Sequence, residues 1–473
     1  MKHYKSIFIT FLKYLPSRLL VVLNAMIIVP VLAHMLSVNE IAIFQLAIGI
    51  LNLVCTCSTD WIAKSVLRFY EHYKIKDNLD AFFSNTIFIT IIVYFVIILA
   101  YLLFADTLSV KFLIPKNVLF LTMLLVIPTG FRQFLYQMLR IFNKPFLYSF
   151  SIVFYQISML ILFLFLAGFM PNVFAVLSAM AISLLILDGY LVYELKLRIK
   201  LKFEIDKGIM FESLKYALPQ VITNTSVWAI LNLNRFVSQW LGFYDLTAVI
   251  GVSYMLVSSI LTPIFSVFIF ALFPSFIRRY EKNADIKTFL TGSIRLYAVM
   301  FLPIATLFCY FSKEITDILF SVKYPQAYIT VAFFAIGIFF HEMMKLFNMK
   351  YHLVNKTYIE MLMGIFVGCV SIVFTYFMIK NFGAFGAGIA MLSAILFLII
   401  LNSIVKVGRI NYVKYSSVLY TLALTAIISL CAYVFCRLLF IPVSSAFFSL
   451  IKMAIYLFIS YGLSIIFVHK LLE

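Results

Sequence analysis

Fourteen times in succession this chain runs for some twenty or more residues with scarcely a charge, and a short link ends each run. About twenty apolar residues in an α-helix cross the hydrocarbon core of a bilayer, and the helix satisfies its own backbone polar groups without water. The runs fall at 7–36, 41–66, 81–105, 117–141, 146–169, 172–195, 214–241, 246–277, 287–311, 326–349, 358–380, 384–406, 413–437 and 446–469. No link is long enough to hold a soluble module. The pattern predicts an all-α, polytopic membrane protein of about 14 transmembrane helices. Composition agrees: 64% of the 473 residues are hydrophobic and 12% charged, more apolar surface than a soluble domain of this size hides.

The net charge of +18 is explained by where the Lys and Arg stand, not by nucleic acid. With the links numbered in order, 26 basic residues fall on the side of the N-terminus, and six (Lys111, Lys116, Lys313, Lys323, Lys380, Arg437) on the other. The positive-inside rule makes the first side cytoplasmic. Both termini are then expected in the cytoplasm, and a miscounted span in the middle would have reversed the bias after it. Lys2, Lys5 and Lys13 precede an apolar run too long for a signal-peptide core, so the first helix is expected to stay. The six Cys all lie in or beside apolar runs, where helix packing explains them better than a metal.

The longest cytoplasmic link, about Lys196 to Phe211, separates two halves that repeat weakly. Lys13-Tyr-Leu-Pro16 opens one and Lys215-Tyr-Ala-Leu-Pro219 the other. Each continues with a long apolar helix, a short outer turn (Ser37-Val-Asn-Glu40, Gly242-Phe-Tyr-Asp245) and a second long helix ending in a basic cluster. Both halves enter from the same side, as in a parallel pseudo-twofold repeat. The expected organisation is a six-helix lobe at 1–200, a second at 211–407 and a C-terminal helix pair at 408–473.

Polar residues inside such runs are costly and carry the functional signal. In Pro219–Gly242, Asn224, Trp228, Asn232, Arg235 and Gln239 recur every three or four residues and therefore share one helix face. An intramembrane Arg costs roughly 2.5–3.5 kcal/mol on insertion scales, so this face is expected to line a wet passage. Arg18, Arg132 and Arg295 are further buried cations, while Lys452 lies near enough to a helix end to snorkel. Asn52, with Gln45, Thr56, Thr59 and Asp60, forms a polar side on the second helix, and Tyr148, Ser151, Tyr155 and Gln156 do so on the fifth. Amides, hydroxyls and rings suit sugars, and interhelical hydrogen bonds are the plainer use of the same groups. His341-Glu-Met-Met-Lys345 has Lys where a zinc-protease motif needs its second His, so no metal is expected there. Asp60, His341 and Glu342, with Lys345, are candidates for proton or sodium coupling or for a gate.

The two-lobed layout resembles the multidrug/oligosaccharidyl-lipid/polysaccharide (MOP) exporter superfamily, and within it the O-antigen type (Wzx-like) polysaccharide flippases. In the first half the likeness rests on Val31-Leu-Ala-His-Met-Leu-Ser-Val-Asn-Glu-Ile-Ala-Ile-Phe44 and Asp60-Trp-Ile-Ala-Lys-Ser-Val-Leu-Arg-Phe69. In the second it rests on Lys215–Pro219, Leu233-Asn-Arg-Phe236, Ser253-Tyr254, Ala271-Leu-Phe-Pro274 and the small-residue stretch Gly383–Ala390. Asn234 stands where relatives often carry Asp, and Ala42 where they often carry Gly.

The resemblance implies a non-enzymatic flippase of the bacterial inner membrane. It would move undecaprenyl-pyrophosphate-linked oligosaccharide to the periplasmic leaflet by alternating access, without a bound cofactor, alongside polymerase or assembly partners. An Arg fork can donate two hydrogen bonds to a pyrophosphate, which suits Arg18, Arg132, Arg235 and Arg295 to a cationic cavity. A lipid II flippase is the nearest alternative. A cation-coupled multidrug antiporter would be expected to carry a carboxylate in its first helix, and 7–36 has none. A membrane polymerase would need a large outer loop or a carboxylate motif, neither of which the links hold.

Overall fold

The computed structural model describes residues 2–195, 206–282, 285–320, 323–354, 356–405, 407, 413–439 and 446–472. Within them lie fifteen α-helices and no strand: α1 (Lys2–Met35), α2 (Val38–Ser58), α3 (Asp60–Ile75), α4 (Leu79–Phe112), α5 (Lys116–Ile141), α6 (Pro145–Ala167), α7 (Val173–Leu195), α8 (Lys207–Trp240), α9 (Tyr244–Glu281), α10 (Ile286–Tyr310), α11 (Ser312–Phe320), α12 (Ala327–Leu353), α13 (Thr357–Ile404), α14 (Tyr415–Leu439) and α15 (Ala446–Leu472). Most of the basic link that was to divide the lobes, 196–205, lies outside the described residues, as do Lys406 and Arg409.

Twelve of these helices are long and apolar enough to cross a membrane, and two differences reconcile them with fourteen runs. The first is α8, whose polar face lowers its hydropathy. The second is α13. Its 48 residues would reach about 72 Å if straight, against a core of about 30 Å. It does not run straight: Gly383 has φ 55° and ψ −125°, and the rings of Phe366 and Phe397, 31 residues apart, lie 6.0 Å from centroid to centroid. The helix is a hairpin of two spans. The expected run 41–66 is also interrupted, because α2 stops at Ser58 and α3 starts at Asp60. Ser58 Oγ donates to the Val54 carbonyl (2.5 Å) and Thr59 Oγ1 to that of Cys55 (3.2 Å), the back-bonding that bends helices.

By packing, the chain forms two compact units, one of Val31–Ala248 and one of Met1–Pro30 with Val249–Glu473. These are not the chain-order lobes 1–200 and 211–407. Within the 31–248 unit, α8 packs against α2, α3 and α4, and α14 and α15 of the expected separate pair pack on α10 within the other unit.

In the 31–248 unit, Leu135 and Leu139 of α5 meet Leu187 and Leu191 of α7, each pair one turn apart. Close approach is set by small residues: a Cβ on Gly130 would stand 2.5 Å from the Thr59 methyl, and one on Gly49 would stand 2.9 Å from the Phe236 ring. The other unit has an aromatic core in which Phe265, Phe268 and Phe301 surround Tyr297, whose hydroxyl donates to the Phe339 carbonyl (3.0 Å).

Candidate functional site

The α8 stripe forms as its spacing predicts, but it faces α2. Trp228 Nε1 donates to the Gly49 carbonyl (3.1 Å). Arg235 donates from Nη1 to the Gln45 side chain (2.8 Å) and carbonyl (3.3 Å), and from Nη2 to Asn232 Oδ1. Gln239 Nε2 reaches the Phe112 carbonyl at the end of α4 (2.8 Å). Asn232, Arg235 and Gln239 are all buried, with Arg235 3% exposed. Over this stretch the expected passage wall is therefore a helix–helix seam. The cause is the ordinary one for a desolvated cation: the guanidinium takes the nearest fixed acceptors, here two side-chain amide oxygens and one backbone carbonyl.

The other expected residues are scattered. Arg18 is half-buried on α1, and Asn52 is exposed on α2. Arg295 donates from Nε to Thr421 Oγ1 (3.0 Å), tying α10 to α14. Asp60 is half-buried in the first turn of α3, where the positive end of a helix favours a carboxylate. Lys452, taken as a snorkelling residue, is 7% exposed. In α12, the fully buried Glu342 meets Lys345 Nζ at 2.5 Å and His341 Nδ1 at 3.5 Å, both through Oε1, while Oε2 has no hydrogen-bond partner. Lys345 thus pairs with the carboxylate that a zinc motif would have kept free. No group of three His, Cys, Asp or Glu suited to a metal occurs among the described residues.

Two features escaped the sequence reading. One is a network at the end of α12. Lys350 Nζ donates to the carbonyls of Asn402 (2.5 Å) and Val405 (2.7 Å), Tyr351 donates to Asn402 Oδ1, and Asn348 links Asn402 to Glu360. It ties α12 to both arms of the α13 hairpin. The other is Asp188 on α7, 5% exposed, with both carboxylate oxygens buried and unbonded. A lone carboxylate in the otherwise apolar run 173–192 was signal enough. Near it, Arg132 of α5 lays its guanidinium 4.4 Å from the ring centroid of Tyr155 on α6 and 5.9 Å from that of Tyr136.

Within the 31–248 unit, α3, α4, α5 and α7 line a half-open pocket of about 480 Å³. Its hydroxyls are turned away: Thr59, Thr86, Thr90 and Tyr94 all donate to backbone carbonyls. The lining left to the pocket is therefore methyl groups and rings.

The family model described as "Polysaccharide biosynthesis protein" matches residues 5–280. No curated protein matches the chain. Among solved structures, the inward closed conformation of the lipid II flippase MurJ is similar over 98% of this chain and 100% of its own, with a TM-score of 0.72 and 14% identity. The inward-facing conformation of a multidrug resistance MATE family transporter of the MOP superfamily is similar over 81% of this chain and 97% of its own, with a TM-score of 0.62 and 14% identity. An outward-facing conformation of a MATE family transporter covers 83% of this chain and 93% of its own, with a TM-score of 0.57 and 11% identity. Identities this low speak for a shared fold.

Proposed function

The chain belongs to the polysaccharide biosynthesis protein family, and from that premise we propose that it is a flippase for a polyprenyl-pyrophosphate-linked oligosaccharide. The observation that carries the reading is the family match over 5–280 on a multi-pass chain with the MOP fold. A lipid tail stays in the bilayer while the pyrophosphate and sugars need a polar route. Arg18 and Arg132, both half-buried cations, are the residues we assign to the phosphates, with Asn52 offering its amide to sugar hydroxyls. Direction is from the cytoplasmic to the periplasmic leaflet of a bacterial inner membrane, by alternating access.

The test is a strain lacking its own flippase, complemented with this chain and scored for surface polysaccharide. Arg18→Ala and Arg132→Ala are expected to abolish or strongly reduce the polymer at unchanged protein level. Normal polymer from both well-expressed variants would remove the phosphate assignment. The full-length likeness to a lipid II flippase favours a second reading. Rescue of cells depleted of their lipid II flippase, with no effect on surface polysaccharide, would select it.

A further inference from the structure

The half-open pocket of the 31–248 unit is built for hydrocarbon. Its hydroxyls are turned to backbone carbonyls, so it presents methyls and rings where a sugar or a phosphate needs donors. Its volume of about 480 Å³ falls within the range of small-ligand sites. Ile91 of α4 and Ile127 and Phe131 of α5 line it, yet they are 59%, 42% and 41% exposed and stand well inside membrane-spanning helices. The mouth therefore opens onto the acyl chains of the bilayer. From Phe83 to Tyr94 the lining follows α4 for about 16 Å, roughly half of a 30 Å hydrocarbon core. Phe83 stands one turn from the start of α4, so this depth belongs to the leaflet on the side of the basic links. Two ion pairs stand at that end. The Phe83 ring meets Tyr70 (6.2 Å between centroids), and Tyr70 meets Phe142 of the α5–α6 turn (6.1 Å) and carries Lys74 Nζ 5.7 Å above its ring. Lys74 pairs with Glu71. Lys144, of the same turn as Phe142, pairs with Glu194, two residues beyond the lining residue Val192. Both pairs are 3.7 Å long and exposed, and such pairs contribute little. They exchange readily for the charges of a ligand.

We propose that this pocket holds one acyl chain of a bilayer phospholipid with a zwitterionic, amine-bearing head group of the phosphatidylethanolamine class. The chain fills the apolar lining between α4 and α5. The head group stays at the interface, its phosphate on Lys74 or Lys144 and its ammonium on Glu71 or Glu194. The mouth selects the head group because each pair offers one cation beside one carboxylate, so a ligand carrying both signs is matched without residual charge. An anionic lipid without an amine leaves the carboxylates opposed to its phosphate, and a polyprenyl pyrophosphate does so with more negative charge. The occupant is thus a resident lipid that braces α4, of whose most apolar stretch only 6% is buried inside the protein, against α5 and α7. This inference does not depend on the flippase reading.

The test uses the full-length protein in phosphatidylglycerol nanodiscs with no lipid-linked sugar, so its failure is separate from any failure of flipping. The nanodiscs are doped with phosphatidylethanolamine carrying a diazirine on one acyl chain, and cross-linked residues are read by mass spectrometry after illumination. Adducts are expected on Ile91, Ile127 and Phe131 above the level on Ile427 of α14 and Phe458 of α15, exposed residues outside the pocket. Thr90→Trp, which fills the pocket, is expected to lose the first set and keep the second. Lys144→Glu is expected to weaken the pocket adducts, and the swap Lys144→Glu with Glu194→Lys to restore them, because a reversed pair still offers both charges. Pocket adducts no stronger than those at Ile427, or adducts that survive in Thr90→Trp, would overturn the proposal. So would equal labelling by phosphatidylglycerol with the same diazirine chain, or displacement of the probe by a polyprenyl phosphate. The wild-type map and the head-group comparison need no variant, so the outcome does not depend on whether Thr90→Trp folds.

Discussion

Arg235 is the residue on which periodicity and packing pull apart. Its fork is spent on Gln45 and Asn232, so removing it leaves acceptors without donors inside a closed seam. Each orphaned buried acceptor costs roughly 1–3 kcal/mol. Arg235→Ala is therefore expected to lower the unfolding midpoint and the folded yield, and Arg235→Lys to recover only part, because a compact ammonium does not reproduce the fork. An unchanged midpoint with transport lost would return Arg235 to a substrate-facing role. The stripe itself, Asn224 to Gln239, was legible in the sequence. Its direction was not, because a 3.6-residue period shows which side chains share a face and is silent on what that face meets. Asp188 was equally legible, as a carboxylate inside the otherwise apolar run 173–192.

Among the elements, α13 depends most on individual residues. Gly383 holds a backbone conformation that side chains avoid, at a cost on the order of 1–3 kcal/mol. At Gly386 a Cβ would stand 1.9 Å from the Met378 carbonyl oxygen, backbone against backbone, with no flexible side chain to yield. Gly386→Ala is thus expected to destabilise the protein at least as much as Gly383→Ala, read as unfolding midpoints in detergent. The reverse order would show that the turn's dihedrals, and not its close approach, hold the hairpin. The sequence separated the two arms at 358–380 and 384–406 from apolar length alone. It also joined α2 to α3, because the break at Thr59 comes from hydroxyls bonding back to carbonyls, and polarity patterns do not record that. The short α11, nine residues of which three are charged, is too brief to register as a span and was missed between two that did.

At the scale of the whole molecule, the lysines and arginines forecast sidedness. Truncations fused to alkaline phosphatase, which is active only outside the cytoplasm, are expected to be active after Gly242 and Phe382 and inactive after Asn143. Activity after Asn143 would reverse the orientation of every later helix. Fold class and span number were readable because hydropathy and the charge bias report on the surrounding solvent. The division into 31–248 and the remainder was not, since chain order does not reveal with which neighbours α8 packs. The turn at Gly383 has a further effect on this count. By making one continuous helix cross twice, it turns an odd number of crossings into an even one, so a single φ angle sets the parity of the fold. With that parity, the side of the membrane on which α14 begins is a yes-or-no property, decided where the chain reverses.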